Sequence, residues 1–475
     1  VNGRYLRVSR LDMRVLQGFF LAASLALASL IGCQRNSGTC ATSRAPASAG
    51  SSATTPSTDP AGQKFDAWLS ALNAADRAAL ECLHPSFASI YMQIAEQTGG
   101  YEVHHLVEAT RTERVALVRA RKSGEWSCLK LRVGSDAPYP LEMVNRGSAE
   151  APSEAKAPEP WPPLDDGARR EVIDGLVREL DRRYVFPDKA TAMVSEIRAQ
   201  QGRHAYDGLE GRLALAQTVS LDLRRASNDR HVRLQMLCAP PAPPKPPADL
   251  PSGATTEGPT VTRANEPAAL TRVIGATRRL EGNIAYVEIA AFGDHTEAAA
   301  NEFRQAMNAA ADASAIILDL RENGGGHEKN VRLVASYLFG DQPVRLSTIY
   351  LRTTNRTEDV FTDPRVPGPK FGPEKPVYIL TSAHTFSAPE SLAYDLQALK
   401  RAVVVGEVTG GGAHPGDVVS LPHGMSAFIP YGRPINPVTK TDWEGVGVKP
   451  DVGVPADKAL EKAQELARAR QSAKH

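Results

Sequence analysis

The sequence carries almost no net charge: 55 Lys and Arg face 54 Asp and Glu, a formal +1. That balance argues against a nucleic-acid partner held by bulk electrostatics. Cysteine is scarce, five in 475 residues, and none is flanked as a thiol nucleophile would be. The eleven histidines are scattered, without zinc-type His/Cys spacing. The adjacent His104 and His105 would point to opposite sides of a strand, a poor metal clamp. No metal or other cofactor is expected. There is no internal repeat of useful length. The apolar run from Val15 to Ile31, broken by Gln17 and Gly18, is short for a stable spanning helix.

What is present begins with export. Arg4, Arg7, Arg10 and Arg14 precede the apolar run, as in a signal peptide; Met13 is an alternative start. The run ends Leu30-Ile31-Gly32-Cys33, which resembles the bacterial lipobox. It implies a lipidated Cys33 at the mature N-terminus and a membrane anchor. Gln34 at the next position implies the periplasmic side of an outer membrane. Cleavage by ordinary signal peptidase and a retained anchor are the alternatives. Export permits a disulfide between Cys82 and Cys128, which fall in one small unit.

Composition then divides the chain. Residues 1–33 form the leader and 34–63 a Ser/Thr/Ala/Pro/Gly-rich tether. Residues 64–147 read as a small α+β domain, helices followed by antiparallel strands, which resembles nuclear-transport-factor-like cones. It carries no catalytic set, and a recognition or spacer role is expected. A linker, 148–163, leads to a helical unit, 164–238, with stripes such as Val172, Ile173, Leu176, Val177 and Leu180. A Pro-rich linker spans 239–267. Residues 268–463 alternate strands and helices, an α/β core with a mainly parallel sheet, and 464–475 read as a tail.

The chemistry concentrates at two strand-to-helix crossings in that core, the places where ligands bind in parallel sheets. One carries Asn323-Gly324-Gly325-Gly326. The other is Pro376-Val-Tyr-Ile-Leu-Thr-Ser-Ala-His-Thr-Phe-Ser387, with Leu392, Leu396 and Leu399 at helical spacing behind it. Ser387 there is either a plain helix N-cap or a nucleophile beside free backbone N–H groups. Consecutive glycines let amides approach a ligand, and a serine acyl transfer needs such donors. The loop lacks the lysine and Ser/Thr of a P-loop.

Asp319-Leu-Arg-Glu-Asn-Gly-Gly-Gly, Thr385-Phe-Ser-Ala-Pro-Glu, Val405-Gly-Glu-Val-Thr-Gly-Gly-Gly-Ala-His-Pro and Trp443-Glu-Gly-Val-Gly-Val-Lys-Pro-Asp-Val resemble the tricorn-core and carboxy-terminal-processing serine peptidases. The branch is similar to interphotoreceptor retinoid-binding protein. The resemblance covers about Leu164 to Leu460. It implies a crotonase/Clp-like α/β spiral core with a helical subdomain, and a peptide or protein substrate. No PDZ pattern occupies the Pro-rich linker. The glycine segment Thr409 to Ala413 has no lysine, which argues against a Ser–Lys dyad. The resemblance instead implies Ser387 as nucleophile, His231 of Asp229-Arg-His as base and Glu444 in support. The amides of Gly325 or Gly326 and of Ala388 would form the oxyanion hole. His414 is the rival base and His384 a weaker one. A binding protein on the same fold, without turnover, is the second function. Substrate preference, oligomeric state and the choice between endo- and exopeptidase are not written in the residues.

Overall fold

The computed structural model describes residues 57–84, 88–134, 136–148, 161–238 and 273–472. The leader, Cys33, Cys40 and the Pro-rich linker lie outside the described residues.

Helices α1 (Pro60–Asn73), α2 (Arg77–Leu83) and α3 (Ala88–Thr98) precede an antiparallel meander, β1 (Tyr101–Ala109), β2 (Glu113–Ala120), β3 (Trp126–Val133) and β4 (Leu141–Ser148). Asp59 and Asp76 start the first two helices by accepting from Gly62 N and Ala79 N, each satisfying an orphan donor of the first turn. Strand alternation sorts the sheet's two faces. Ala116, Val118, Leu129 and Leu131 pack with Phe65, Trp68 and Leu72. Val115, Leu117 and Cys128 point the other way, into a second core with Leu176, Leu213 and Val219. Burial on both faces explains the unbroken apolar run from Val115 to Val118 in β2.

That second core belongs equally to α4 (Asp166–Arg183), α5 (Pro187–Gly202) and α6 (Gly211–Ser227). The β1–β4 sheet therefore shares its interior with the helical unit. Polar contacts follow the same seam. Glu113 of β2 accepts from the amides of Leu213 and Ala214 (3.0 and 2.6 Å), capping α6 where its own Glu210 makes no cap bond. Buried Arg212 pairs with Glu108 at 2.7 Å. The disulfide across this seam joins Cys128 to Cys238, with Cα atoms 5.9 Å apart. The Cys82–Cys128 pairing that export would permit is therefore not made: alternation along β3 turns Cys128 away from the helices that carry Cys82. A second correction concerns His104 and His105. A β-bulge between Val103 and His105 breaks the alternation, and their Nδ1 atoms meet at 2.9 Å.

After β5 (Arg233–Met236) the α/β core begins. Its strands are β6 (Ile274–Leu280), β7 (Ile284–Ile289), β8 (Ala315–Asp319), β11 (Val377–Thr381), β12 (Val403–Gly406) and β16 (Val452–Gly453). They run in spatial order β16-β12-β11-β8-β7-β6, parallel apart from β6. Helices α7 (Glu297–Ala310), α8 (Glu328–Ser336) and α9 (Ala388–Ala398) share a core with one face, through Ile316, Leu318, Ile379 and Val404. The other face, Tyr286, Ile317, Leu380 and Val405, packs on α10 (Ala459–Ser472) through Ala459, Ala463 and Ala467. Residues 464–472 are thus helix, not tail; small residues every four positions seat them on the sheet. Two small antiparallel sheets complete the core. One has order β10 (Arg356–Phe361), β9 (Arg345–Leu351), β15 (Gly432–Ile435); the other is β13 (Gly416–Leu421), β14 (Met425–Pro430), β5. Pairing with β14 brings β5, and the histidine just before it, to the glycine-rich loops.

Candidate active site

Ser387 is the N-cap residue of α9, on the turn that follows β11. Its φ of 68° and ψ of −116° are strained for a residue with a Cβ, a cost of about 1–3 kcal/mol that the surroundings must hold in place. Four contacts do so. Phe386 N donates to Asn323 O at 3.1 Å and Gly410 N to Thr385 O at 2.9 Å. Thr385 Oγ1 donates to Leu320 O at 2.8 Å. Ser387 N donates to Glu390 Oε2 at 2.6 Å.

Glu390 is fully buried and was not singled out as a site residue from sequence. Its carboxylate also accepts from Thr409 Oγ1 (2.5 Å), Gly411 N (2.6 Å) and Gly412 N (2.9 Å). One side chain thereby ties the serine turn to the glycine loop. Burial raises its pKa, and the bonds from Thr409, Gly412, Ser387 and Gly411 oppose that rise.

His231 reaches the serine from the helical unit. Asn228, left-handed at φ 54°, ends α6. Asp229 Oδ1 then accepts from His231 N (2.9 Å) and Val232 N (3.2 Å), a side-chain turn that fixes the histidine's backbone. The imidazole is stacked on Phe428 and packed on Phe386. Its Nε2 lies 3.0 Å from Ser387 Oγ. For Nε2 to accept, the ring proton must sit on Nδ1. That nitrogen is buried, without a hydrogen-bond partner among the described residues, and faces Glu444 Oε2 at 3.9 Å.

Glu444 accepts from Arg230 N at Oε1 (2.9 Å) and from Ala413 N (2.5 Å) and His414 N (3.2 Å) at Oε2. It stitches the histidine segment to the glycine loop and leaves a negative charge beside the ring. His414 is elsewhere: its Nδ1 bonds Asp229 Oδ2 at 2.7 Å, and Tyr184 donates to the same oxygen at 2.8 Å. Burial works against the His414 charge, but hydrogen bonds to Asp229 and Asp442 and the charge of Glu444 prevail and push its pKa up to about 9. It is an imidazolium at neutral pH, unsuited to take a proton. Asp229, despite burial, is held below the usual carboxylate range by His414. His384 is exposed.

Asp229, His414 and Glu444 put one possible ligand atom each within 4.8 Å of one another. The 2.7 Å Nδ1–Oδ2 contact is a direct hydrogen bond and Glu444 Oε2 is taken up by two amides, so the trio forms a charge network rather than a metal clamp.

On the donor side, the amide of Gly325 is taken by Asn323 Oδ1 at 3.0 Å. The amides of Gly326 and Ala388 hold no hydrogen bond among the described residues, which narrows the three donors expected from sequence to two. Gly325 stays close for another reason: a Cβ on it would lie 3.5 Å from Ser387 Cβ.

Gly412 is packed against the base itself. A Cβ there would run into the Phe386 ring and lie 2.6 Å from His231 Cε1. Gly412→Ala is expected to shift the imidazole and lower kcat/KM on a peptide substrate by about 100-fold, while the thermal unfolding midpoint moves little. Unchanged turnover would show that the ring position does not matter.

A serine on a strained strand-to-helix turn, facing a buried imidazole and spare amides, is the geometry of a serine hydrolase. Residues 283–454 match peptidase family S41. The chain is 28% identical over 173 residues to carboxyl-terminal-processing peptidase 2, chloroplastic, of Arabidopsis thaliana, covering 36% of this chain and 32% of that protein. Over 193 residues it is 29% identical to the chloroplastic C-terminal processing peptidase of Tetradesmus obliquus, covering 41% and 39%. The chain thus spans 32% and 39% of these relatives' lengths. Among solved structures, a putative peptidase from Parabacteroides merdae aligns with a TM-score of 0.43 and 17% identity, over 63% of this chain and 96% of that one. The tricorn protease aligns with a TM-score of 0.40 and 14% identity, over 77% and 41%. The matched family segment holds Ser387 and Glu444 but not His231.

Proposed function

We propose that the protein is an exported serine peptidase in which Ser387 attacks the scissile carbonyl and His231 takes its proton. The observation that carries this is the 3.0 Å contact between Ser387 Oγ and His231 Nε2, made by residues 156 positions apart. In the first step Oγ bonds the carbonyl carbon as Nε2 accepts the hydroxyl proton. The amides of Gly326 and Ala388 receive the oxyanion, each such donor contributing about 3–4 kcal/mol in a site of this kind. The imidazolium then protonates the leaving amine, and a water repeats the sequence on the acyl-enzyme. Glu444 stabilises the charge that appears on His231. The loop between Thr409 and Ala413 has no lysine, which supports a histidine base over a Ser–Lys dyad.

The Cys128–Cys238 disulfide supports an oxidising compartment and so agrees with the leader read from sequence. No described helix is long and apolar enough to cross a membrane. A lipid anchor at Cys33, on the periplasmic side of an outer membrane, completes the reading.

A fluorophosphonate probe tests the nucleophile. Wild type is expected to label and to cleave a peptide library, and Ser387→Ala to do neither. An unlabelled, inactive wild type would leave a binding protein on a peptidase fold.

A further inference from the structure

His231 lies on one continuous segment, α6, a short turn and β5. Both ends of that segment are fastened to the β1–β4 sheet. At the start of α6, Glu113 of β2 accepts from the amides of Leu213 and Ala214. Glu108 of β1 accepts from Arg212 at its amide (3.3 Å) and at its guanidinium (2.7 Å), and both side chains are buried. The approach is so close that only glycine fits at 211: at its φ of 83°, a Cβ would lie 2.1 Å from the Glu113 carboxylate. At the end of β5 the fastenings come from β3. Lys130 Nζ donates to Met236 O at 2.9 Å, and Cys128 is joined to Cys238. Glu108 serves both ends, since its charge also faces Lys130 and opposes the fall that burial imposes on the lysine's pKa.

β5 is a short strand at the edge of its sheet, with four residues paired to β14. Four pairs are few to hold a strand in place. Its register depends on which face is buried, and Leu234 and Met236 are buried in the core that also holds Val115, Leu117 and Cys128 of the β1–β4 sheet. The position of β5 in turn sets the base. Arg233 donates to the carbonyl of His231 at 3.0 Å. Phe428, opposite Arg233 in the pairing, is the ring stacked on His231. Met236 is about 17 Å of extended chain from His231, so a strand fastened at Met236 and Cys238 cannot slide along β14 and carry the imidazole away from Ser387.

We propose that the β1–β4 sheet is a positioning platform for the general base, gripping the α6–β5 segment at both ends and so holding His231 Nε2 within reach of Ser387 Oγ. Glu108, Glu113, Cys128 and Lys130 are its positioning residues; they act through His231 and not on the substrate. The inference rests on the peptidase reading above, and its test separates the two.

The test compares kcat, KM and the rate of fluorophosphonate labelling in full-length variants, well below the unfolding midpoint of each. Cys128→Ala/Cys238→Ala removes the covalent fastening. It should lower kcat about 10- to 100-fold, as displacement of a catalytic group does, with KM within about twofold and labelling slowed in proportion. Lys130→Met keeps the apolar stem and loses the donor, and should lower kcat about three- to tenfold. Val118→Ala is the control, since that side chain packs on the sheet's other face with Phe65 and Trp68. It should lower the unfolding midpoint and leave kcat unchanged. A sheet that only adds stability would lower the midpoint in all three variants and leave kcat at the wild-type value in each. Wild-type kcat in the folded cysteine variant overturns the inference, as does an equal loss of kcat in Val118→Ala. Where the cysteine variant does not fold, wild-type kcat in Lys130→Met overturns it. A wild type that neither cleaves nor labels overturns the peptidase reading, and this inference with it.

Discussion

His231→Ala is expected to lower kcat/KM by roughly 10^4- to 10^6-fold, as loss of the base does in serine peptidases, with little change in thermal stability. Among the described residues the His231 side chain makes no hydrogen bond other than that to Ser387, and Glu444 beside it keeps its three backbone donors when the ring is removed. The His231 ring space, between Phe386 and Phe428, is apolar on two sides. The same change at His414 should act in the opposite way. That imidazolium neutralises fully buried Asp229. His414→Ala should therefore destabilise the protein strongly and reduce activity through the displaced histidine segment. Activity and urea midpoint, measured on both variants, distinguish a base from a support. Full turnover in His231→Ala would transfer the role of base to another group.

Asp229→Ala carries the second large effect, a loss of about 3–5 kcal/mol, because it strands a buried cation. It also removes the bonds that fix His231 N and Val232 N. The pair makes stability depend on pH. His414 has its pKa raised from 6.5 to about 9. Its contribution is complete below about 6.5 and is lost as pH rises through about 9. Asp229 is depressed, so its contribution is present above the ordinary carboxylate pKa and is lost as pH falls through its lowered value. Wild type should be most stable, with respect to this pair, between about pH 4 and 6.5. Glu113, pushed up to about 8 by burial and by the charge of Glu108, loses stability with rising pH over an overlapping range. The readout is therefore the difference in urea midpoint between wild type and Asp229→Asn from pH 5 to 9.5. That difference should shrink toward pH 9.5. A difference constant with pH would mean that His414 does not change charge in this range.

Much of the fold is written locally. The runs Ala315–Asp319 and Val377–Thr381 are apolar without alternation because both faces of their strands are covered. Thr296 before α7 and Asp165 before α4 are caps with a free oxygen for the first turn. The parts that misled are those decided by partners far along the chain. Cys128 looked available to Cys82 because both fall in one unit, but the pleat of β3 points it at Cys238. Glu113 looked like one more strand residue, and it caps a helix about a hundred positions away. The last helix looked like a tail because alanine spacing carries little hydrophobic signal until a sheet is laid against it. Glu390 was visible only as the end of a motif. Its four bonds depend on a glycine loop about twenty residues further on, brought back by the parallel pairing of β11 and β12.

By itself the sequence determined the serine turn: strand, tight turn, helix, with an N-cap whose hydroxyl meets free amides. It determined the glycine loops as well, since only glycine tolerates such close approach to Phe386 and His231. What the tertiary structure decided is which histidine the serine meets. His414 is the nearer in sequence, and its segment is fixed by Glu444, but its ring turns to Asp229 and takes a positive charge. His231 arrives from the helical unit because β5 pairs with β14. Local pattern cannot rank two histidines, since the distinction lies in which carboxylate each one faces once the chain has closed.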